Sequence, residues 1–138
     1  MRWLRTDALT AAAVLALSLR AAAVASASDT AAEQFEQFCT DWMQKLAARE
    51  RDNQRQIHWV ANDSGVEGEY VGYSREHTCQ LKSNGDGPAV PVGKIIYHEI
   101  RYQKRGASPE VAGSAMPLAL DATEVTEIFR YAKGKWQY

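Results

Sequence analysis

The chain has 138 residues, with 16 Lys+Arg against 17 Asp+Glu, a formal net charge of −1, and four Trp, six Tyr and three Phe. Charges this nearly balanced give no bulk attraction to nucleic acid or to an anionic membrane surface, so neither is expected as a partner. The aromatic supply excludes a disordered chain, and the length supports one hydrophobic core rather than two.

Residues 1–27 read as a secretory signal peptide. Arg2 and Arg5 supply the positive start, Ala8 to Leu19 is an apolar run dominated by Ala, Leu and Val, and small residues continue to Ala27. Ala23-Val24-Ala25 and Ala25-Ser26-Ala27 both present the small side chains that a signal peptidase needs at −3 and −1. Arg20 interrupts the run before about 18 residues are reached, too few for a stop-transfer helix, so no stable membrane insertion is expected after cleavage. Asp7 weighs against a mitochondrial presequence, and the first cysteine is Cys39, far from any lipid-attachment position. The mature domain, 28–138, is expected in the periplasm or outside the cell.

Thr30-Ala31-Ala32-Glu33 has capping-box spacing, in which hydroxyl and carboxylate each satisfy a free amide of the first helical turn. Phe35, Phe38, Cys39, Trp42, Met43 and Leu46 then recur at three- and four-residue steps, with Glu36, Gln37, Asp41, Gln44 and Lys45 mostly opposite. This pattern predicts an amphipathic helix from Thr30 to about Arg51–Asn53. Its aromatic stripe is read as core packing.

From Gln56 the period changes to two, as side chains alternate between the faces of strands. Ile57–Val60 is a short strand closed by turn formers at Asn62–Gly65, and Val66–Tyr73 comes next. Ser74-Arg75 is a bulge or bend before a stretch in which His77, Cys79 and Leu81 share one face. Asn84–Pro88 is the strongest turn signal and leads into a central strand, Val92 to about Lys104. Strict alternation puts Ile96, His98, Ile100 and Tyr102 on one face of it, and Ile95, Tyr97, Glu99 and Arg101 on the other. Gly106–Leu120, rich in Ala, Ser, Gly and Pro, reads as a long flexible connection. Thr123–Tyr131 and Trp136–Tyr138 form a closing hairpin across Lys133-Gly134. The predicted fold is α+β: one N-terminal amphipathic helix packed on a curved antiparallel sheet of about four to six strands.

This element order, ending in Thr126-Glu127-Ile128-Phe129-Arg130-Tyr131 and then Gly134-Lys135-Trp136, resembles NTF2-like or, more broadly, cystatin-like α+β domains. The resemblance covers the last two strands and, for the rest, only the order of elements. It implies a curved sheet wrapped around a helix, with a concavity that often becomes a pocket. The additional N-terminal helices usual in NTF2-like domains are missing from the mature chain. The family hosts enzymes, binding proteins and assembly factors alike.

Cys39 and Cys79 are the only cysteines. In an oxidising compartment, two thiols on a helix face and a strand face that pack together are expected to form a disulfide. A metal site joining them to His77 or His98 would lack any C-x-x-C or H-x-x-x-H pair, so no metal and no cofactor are expected. His98, between Ile96 and Ile100, is the catalytic candidate: a general base if its face lines a concavity, oriented by Glu76, Asp41 or another carboxylate, and otherwise a structural histidine. Glu99 and Arg101 read as a solvated face pairing toward Glu127 or Lys82. Gly65, Gly68 and Gly72 suggest bulges or sheet curvature, and the serines have no G-x-S-x-G context. Tyr70, Tyr97, Tyr102 and Trp59 are the ligand-binding candidates, as an aromatic surface or as ordinary sheet packing.

Three functions are compatible with these residues. The first is a non-catalytic envelope module that binds a small molecule or another envelope protein. The second is a small NTF2-like enzyme using His98 or a carboxylate as base. The third is an assembly partner pairing through an open sheet edge.

Overall fold

A computed structural model describes residues 18–83 and 90–137, with the side chains of 18–29 and 83 excepted. Most of the leader, the Asn84–Pro88 turn and Tyr138 lie outside the described residues. The chain divides into two compact units, Met1–Thr30 and Ala31–Tyr138. In the first, the described residues are helical; the second holds the sheet and the hydrophobic core. No helix among the described residues is long and apolar enough to cross a membrane.

Helix α1 spans Ser18–Arg55. Thr30 therefore lies inside a helix and does not cap one, because the alanine-rich residues before it are themselves strong helix formers. Six strands come after it: β1 Val60–Asn62, β2 Gly65–Tyr73, β3 Thr78–Ser83, β4 Pro91–Gly106, β5 Leu118–Ala132 and β6 Lys135–Gln137, with a short helix α2, Pro109–Ser114, between β4 and β5. All pairings are antiparallel, in the order β1-β2-β4-β5-β6, with β3 also on β4. The architecture is α+β, a helix packed on an open, curved sheet.

Strand β4 is the axis of the sheet, as its two-faced apolar sequence predicts. β5 runs along one edge of β4, while β2 (against 99–106) and β3 (against 91–96) lie end to end along the other. At their junction four residues, Ser74–His77, stand opposite two, Tyr97 and His98. The excursion is held by two bonds: Ser74 N–H donates to the His98 carbonyl at 2.8 Å, and His98 N–H donates to Ser74 Oγ at 2.9 Å. The expectation of a bulge or bend rather than a break at Ser74-Arg75 is thus corrected: Ser74–His77 leave the sheet, and the predicted stretch becomes two strands.

The inward phase of β4 changes at the level of this excursion. Gly93, Ile95 and Tyr97 are its buried positions up to that level, whereas beyond it Ile100 and Tyr102 are the residues turned toward α1. Neither face expected from strict alternation survives whole.

Two other departures are local. The first strand starts only at Val60, and Ile57 and Trp59 instead cover Gly68, where a Cβ would meet both side chains. The Gly106–Leu120 connection contains α2, whose N-terminus is capped by Ser108 Oγ accepting from Val111 N–H, with Pro109 in the first turn. Ala112 is fully buried on it, and Lys104 Nζ donates to the Gly113 carbonyl at 2.7 Å. The closing hairpin is as expected. Lys133 and Gly134 have φ of 53° and 74°, the left-handed pair that a two-residue turn of this twist requires.

The core joins Phe35, Cys39 and Leu46 of α1 to Ile95 and Tyr97 of β4, Phe129 of β5 and Trp136 of β6. Phe38 and Trp42 meet the Phe129 ring edge-on, with centroids 4.8 and 5.0 Å away. Trp136 Nε1 donates to the Ala31 carbonyl at 3.0 Å, fixing the last strand to the helix. The predicted bridge is present: Cys39 and Cys79 form a disulfide between α1 and β3, their Cα atoms 6.4 Å apart.

Candidate ligand groove

Beyond β1, the outward edge of β2 would carry free backbone groups, and the last turns of α1 satisfy them. Glu50 Oε2 accepts from Tyr73 N–H at 3.1 Å, and Asn53 Nδ2 donates to the Val71 carbonyl at 2.8 Å. Gly72 makes this approach possible, because a Cβ there would lie 2.7 Å from the Tyr102 ring and 2.8 Å from the Glu50 carboxyl carbon.

Above this anchor, α1 and the inner side of the sheet enclose an open groove of about 930 Å³. Met43, Leu46 and Ala47 supply its helix wall, and Tyr70, Tyr73, Ile100 and Tyr102 its sheet wall. The Tyr70 and Tyr102 rings stack with centroids 5.2 Å apart and planes at 24°. Burial pushes the Tyr70 phenol above its ordinary pKa; a hydrogen bond with Gln54 opposes the shift and the nearby Glu50 carboxylate adds to it. It is a neutral hydrogen-bonding group at physiological pH. The rim is charged in both signs, with Glu50, Arg51, Arg75 and Glu76, and His77 lies beside them.

The groups that chemistry would call on are engaged with backbone. Ser74 Oγ donates to the Glu76 carbonyl at 2.7 Å while accepting from His98 N–H, Glu50 holds Tyr73, and His77 Nδ1 is 2.8 Å from the Arg75 carbonyl. An apolar, aromatic wall facing a side lined by polar and charged residues suits capture of a small molecule with one hydrogen-bonding end.

Of the residues singled out from sequence, Tyr70 and Tyr102 meet in this groove. Tyr97 belongs to the core instead, 4% exposed, with its ring edge-on to Tyr73. Trp59 is half-buried over Gly68. His98 is exposed and stands opposite Glu124 of β5. Arg101 pairs with Asp121 at 2.7 Å and Glu69 at 3.6 Å, not with Glu127, which accepts from Tyr97. Sequence patterns do not mark Met43, Glu50 or Gln54 as site residues, and it is the close approach of α1 to Gly72 that brings Glu50 to the groove.

Tyr97 carries a pH prediction. Burial, with the Glu127 carboxylate 3.3 Å from its hydroxyl, raises its pKa to about 12. A folded pKa above the unfolded value near 10 means that the stabilisation is complete below pH 10 and is lost as pH rises through 12. Urea midpoints measured from pH 9 to 12 are expected to fall in that window, with the slope reduced in Tyr97→Phe; an equal slope in the variant would contradict the assignment.

No family model matches this sequence, and no curated protein or solved structure shows significant similarity to it.

Proposed function

We propose that the chain is an exported, non-catalytic binding module that holds a small, largely apolar molecule in the groove between α1 and the β2–β4 wall. The observation that carries this is the groove itself: its size falls in the range of small-molecule sites, and two stacked tyrosines offer a flat apolar surface with phenols at its edge. The ligand class that fits is a molecule with a planar or aliphatic body and a hydrogen-bonding end facing the Glu50, Gln54 and Arg51 side. The disulfide and the leader-like N-terminus support a periplasmic or secreted setting, and a helix lying on a curved sheet supports kinship with NTF2-like or cystatin-like domains.

Ala47 is exposed and lines the groove, so Ala47→Trp should fill the cavity without disturbing the core. Binding of an apolar fluorescent probe is expected to fall at least tenfold in this variant, a loss of about 1.4 kcal/mol, while its unfolding midpoint stays unchanged. Equal probe binding by both proteins would place the ligand elsewhere.

Assembly through a sheet edge is the second reading, and one observation favours it. β6 pairs only with Arg130–Ala132 of β5, so among the described residues the outer edge of β5 from Leu118 to Phe129 has no strand beside it. Leu118 and Ile128 on that strand are each 59% exposed.

A further inference from the structure

We propose that the Cys39–Cys79 disulfide is the oxidised form of a soft-metal site, and that the reduced protein binds one Cu⁺ through Cys39, Cys79 and His77. The ligand atoms of these three side chains all lie within 4.8 Å of one another. Two thiolates and an imidazole form a donor set that selects soft d¹⁰ cations, and three donors complete the trigonal environment that Cu⁺ accepts.

The state of His77 fits the role. A carbonyl can only accept, so the 2.8 Å contact between Nδ1 and the Arg75 carbonyl places the ring proton on Nδ1. That leaves Nε2 as the ring nitrogen available to a metal. A metal-bound histidine characteristically has its other nitrogen held by a carbonyl or carboxylate in this way. Access is also built in: Cys39 is buried, whereas Cys79 and His77 are exposed, so an ion or a reductant reaches the site from the β3 side. The three residues come from α1, from the Ser74–His77 excursion and from the start of β3, and are brought together where β2 gives way to β3.

Loading requires a two-electron reductant, and a dithiol is the class that acts by exchange. One of its thiolates attacks the Cys79 sulfur, on the exposed residue of the pair, forming a mixed disulfide and releasing Cys39 as a thiolate. Its second thiol then closes on the first, breaking the mixed bond and releasing Cys79. The protein has gained two electrons, the reductant has lost two and become a disulfide, and its two thiol protons pass to the cysteines or, once the metal binds, to solvent. Metal uptake is thereby coupled to redox state. The site does not depend on the groove holding a ligand.

The test is a competition titration. Protein reduced anaerobically with a phosphine and freed of it is titrated with Cu⁺ held by a chromophoric chelator, beside the disulfide form and a His77→Ala variant. Reduced wild type is expected to take one Cu⁺ per chain, the disulfide form none, and reduced His77→Ala to bind at least tenfold more weakly. Because His77 is exposed, the oxidised variant should keep the wild-type circular dichroism. The proposal is overturned if reduced wild type takes no Cu⁺, if it binds no more tightly than His77→Ala, or if the disulfide form binds equally well.

Discussion

Replacing Cys39 and Cys79 together by alanine is expected to lower the unfolding free energy by about 4 kcal/mol, the chain-entropy value for a closed loop of this length. The two residues are 40 apart in sequence, and their link is the covalent tie between α1 and β3. β3 is poorly held otherwise. Its described side chains, Thr78 to Lys82, are all exposed, and among the described residues it pairs only with β4. Losing the bridge therefore releases entropy in the unfolded chain and frees a strand that little else retains. Domains of this size have only about 5 to 15 kcal/mol of stability, so the variant should unfold at a much lower urea concentration. Hydrogen exchange should show β3 amides opening before the rest of the sheet. A midpoint within error of wild type would mean that the bridge adds no net stability and would contradict this account.

Truncation of Phe35 is the second large effect. Phe35 is 2% exposed, tilts against Trp136 with centroids 4.6 Å apart, and lies directly over Gly93. Phe35→Ala should cost about 3 to 5 kcal/mol in chemical denaturation, the lost burial plus the cavity left between α1 and β4. Gly93 supplies the control. A Cβ at that position would land in the Phe35 ring, so Gly93→Ala alone should destabilise by about 1 to 3 kcal/mol through overpacking. Combined with Phe35→Ala, the added methyl enters the vacated space and should cost less than it does alone. Additive effects would show that the two residues are not packed against each other.

Most of the scaffold is legible in the sequence because its periodicities are strong. The Phe35–Leu46 stripe can only be one helical face, the two-residue period after Gln56 can only be strands, and Lys133-Gly134 marks the closing turn. The disulfide follows from two cysteines on apolar faces in a chain that carries a leader-like N-terminus. Thr30 misleads because its capping spacing is local, whereas the helix is decided by the alanines on both sides of it. Helix α2 is hidden although Ser108-Pro109-Glu110 is a helix-start signature, since Gly and small residues around it read as a connection. The phase shift in β4 leaves no mark in its own sequence: it falls at the level where β2 gives way to β3 on the neighbouring edge.

The candidate site is less legible for the same reason. Tyr70 and Tyr102 stand out as aromatic residues and do meet, but through register across β2 and β4, which no single-strand pattern encodes. Glu50 looks like one more charge on the polar side of the helix. It matters because Gly72 lets it reach the backbone of β2, a relation between residues 22 positions apart.

Ligand capture in the groove is tested most directly by native mass spectrometry of the mature protein, purified gently from its host, against its denatured mass before and after reduction. The expected result is a native monomer heavier than the denatured chain by a small-molecule increment, absent in Ala47→Trp, and a two-proton mass gain on reduction as the bridge opens. A bare monomer, or a self-multiple with no added mass, would contradict ligand capture and turn attention to the open edge of β5.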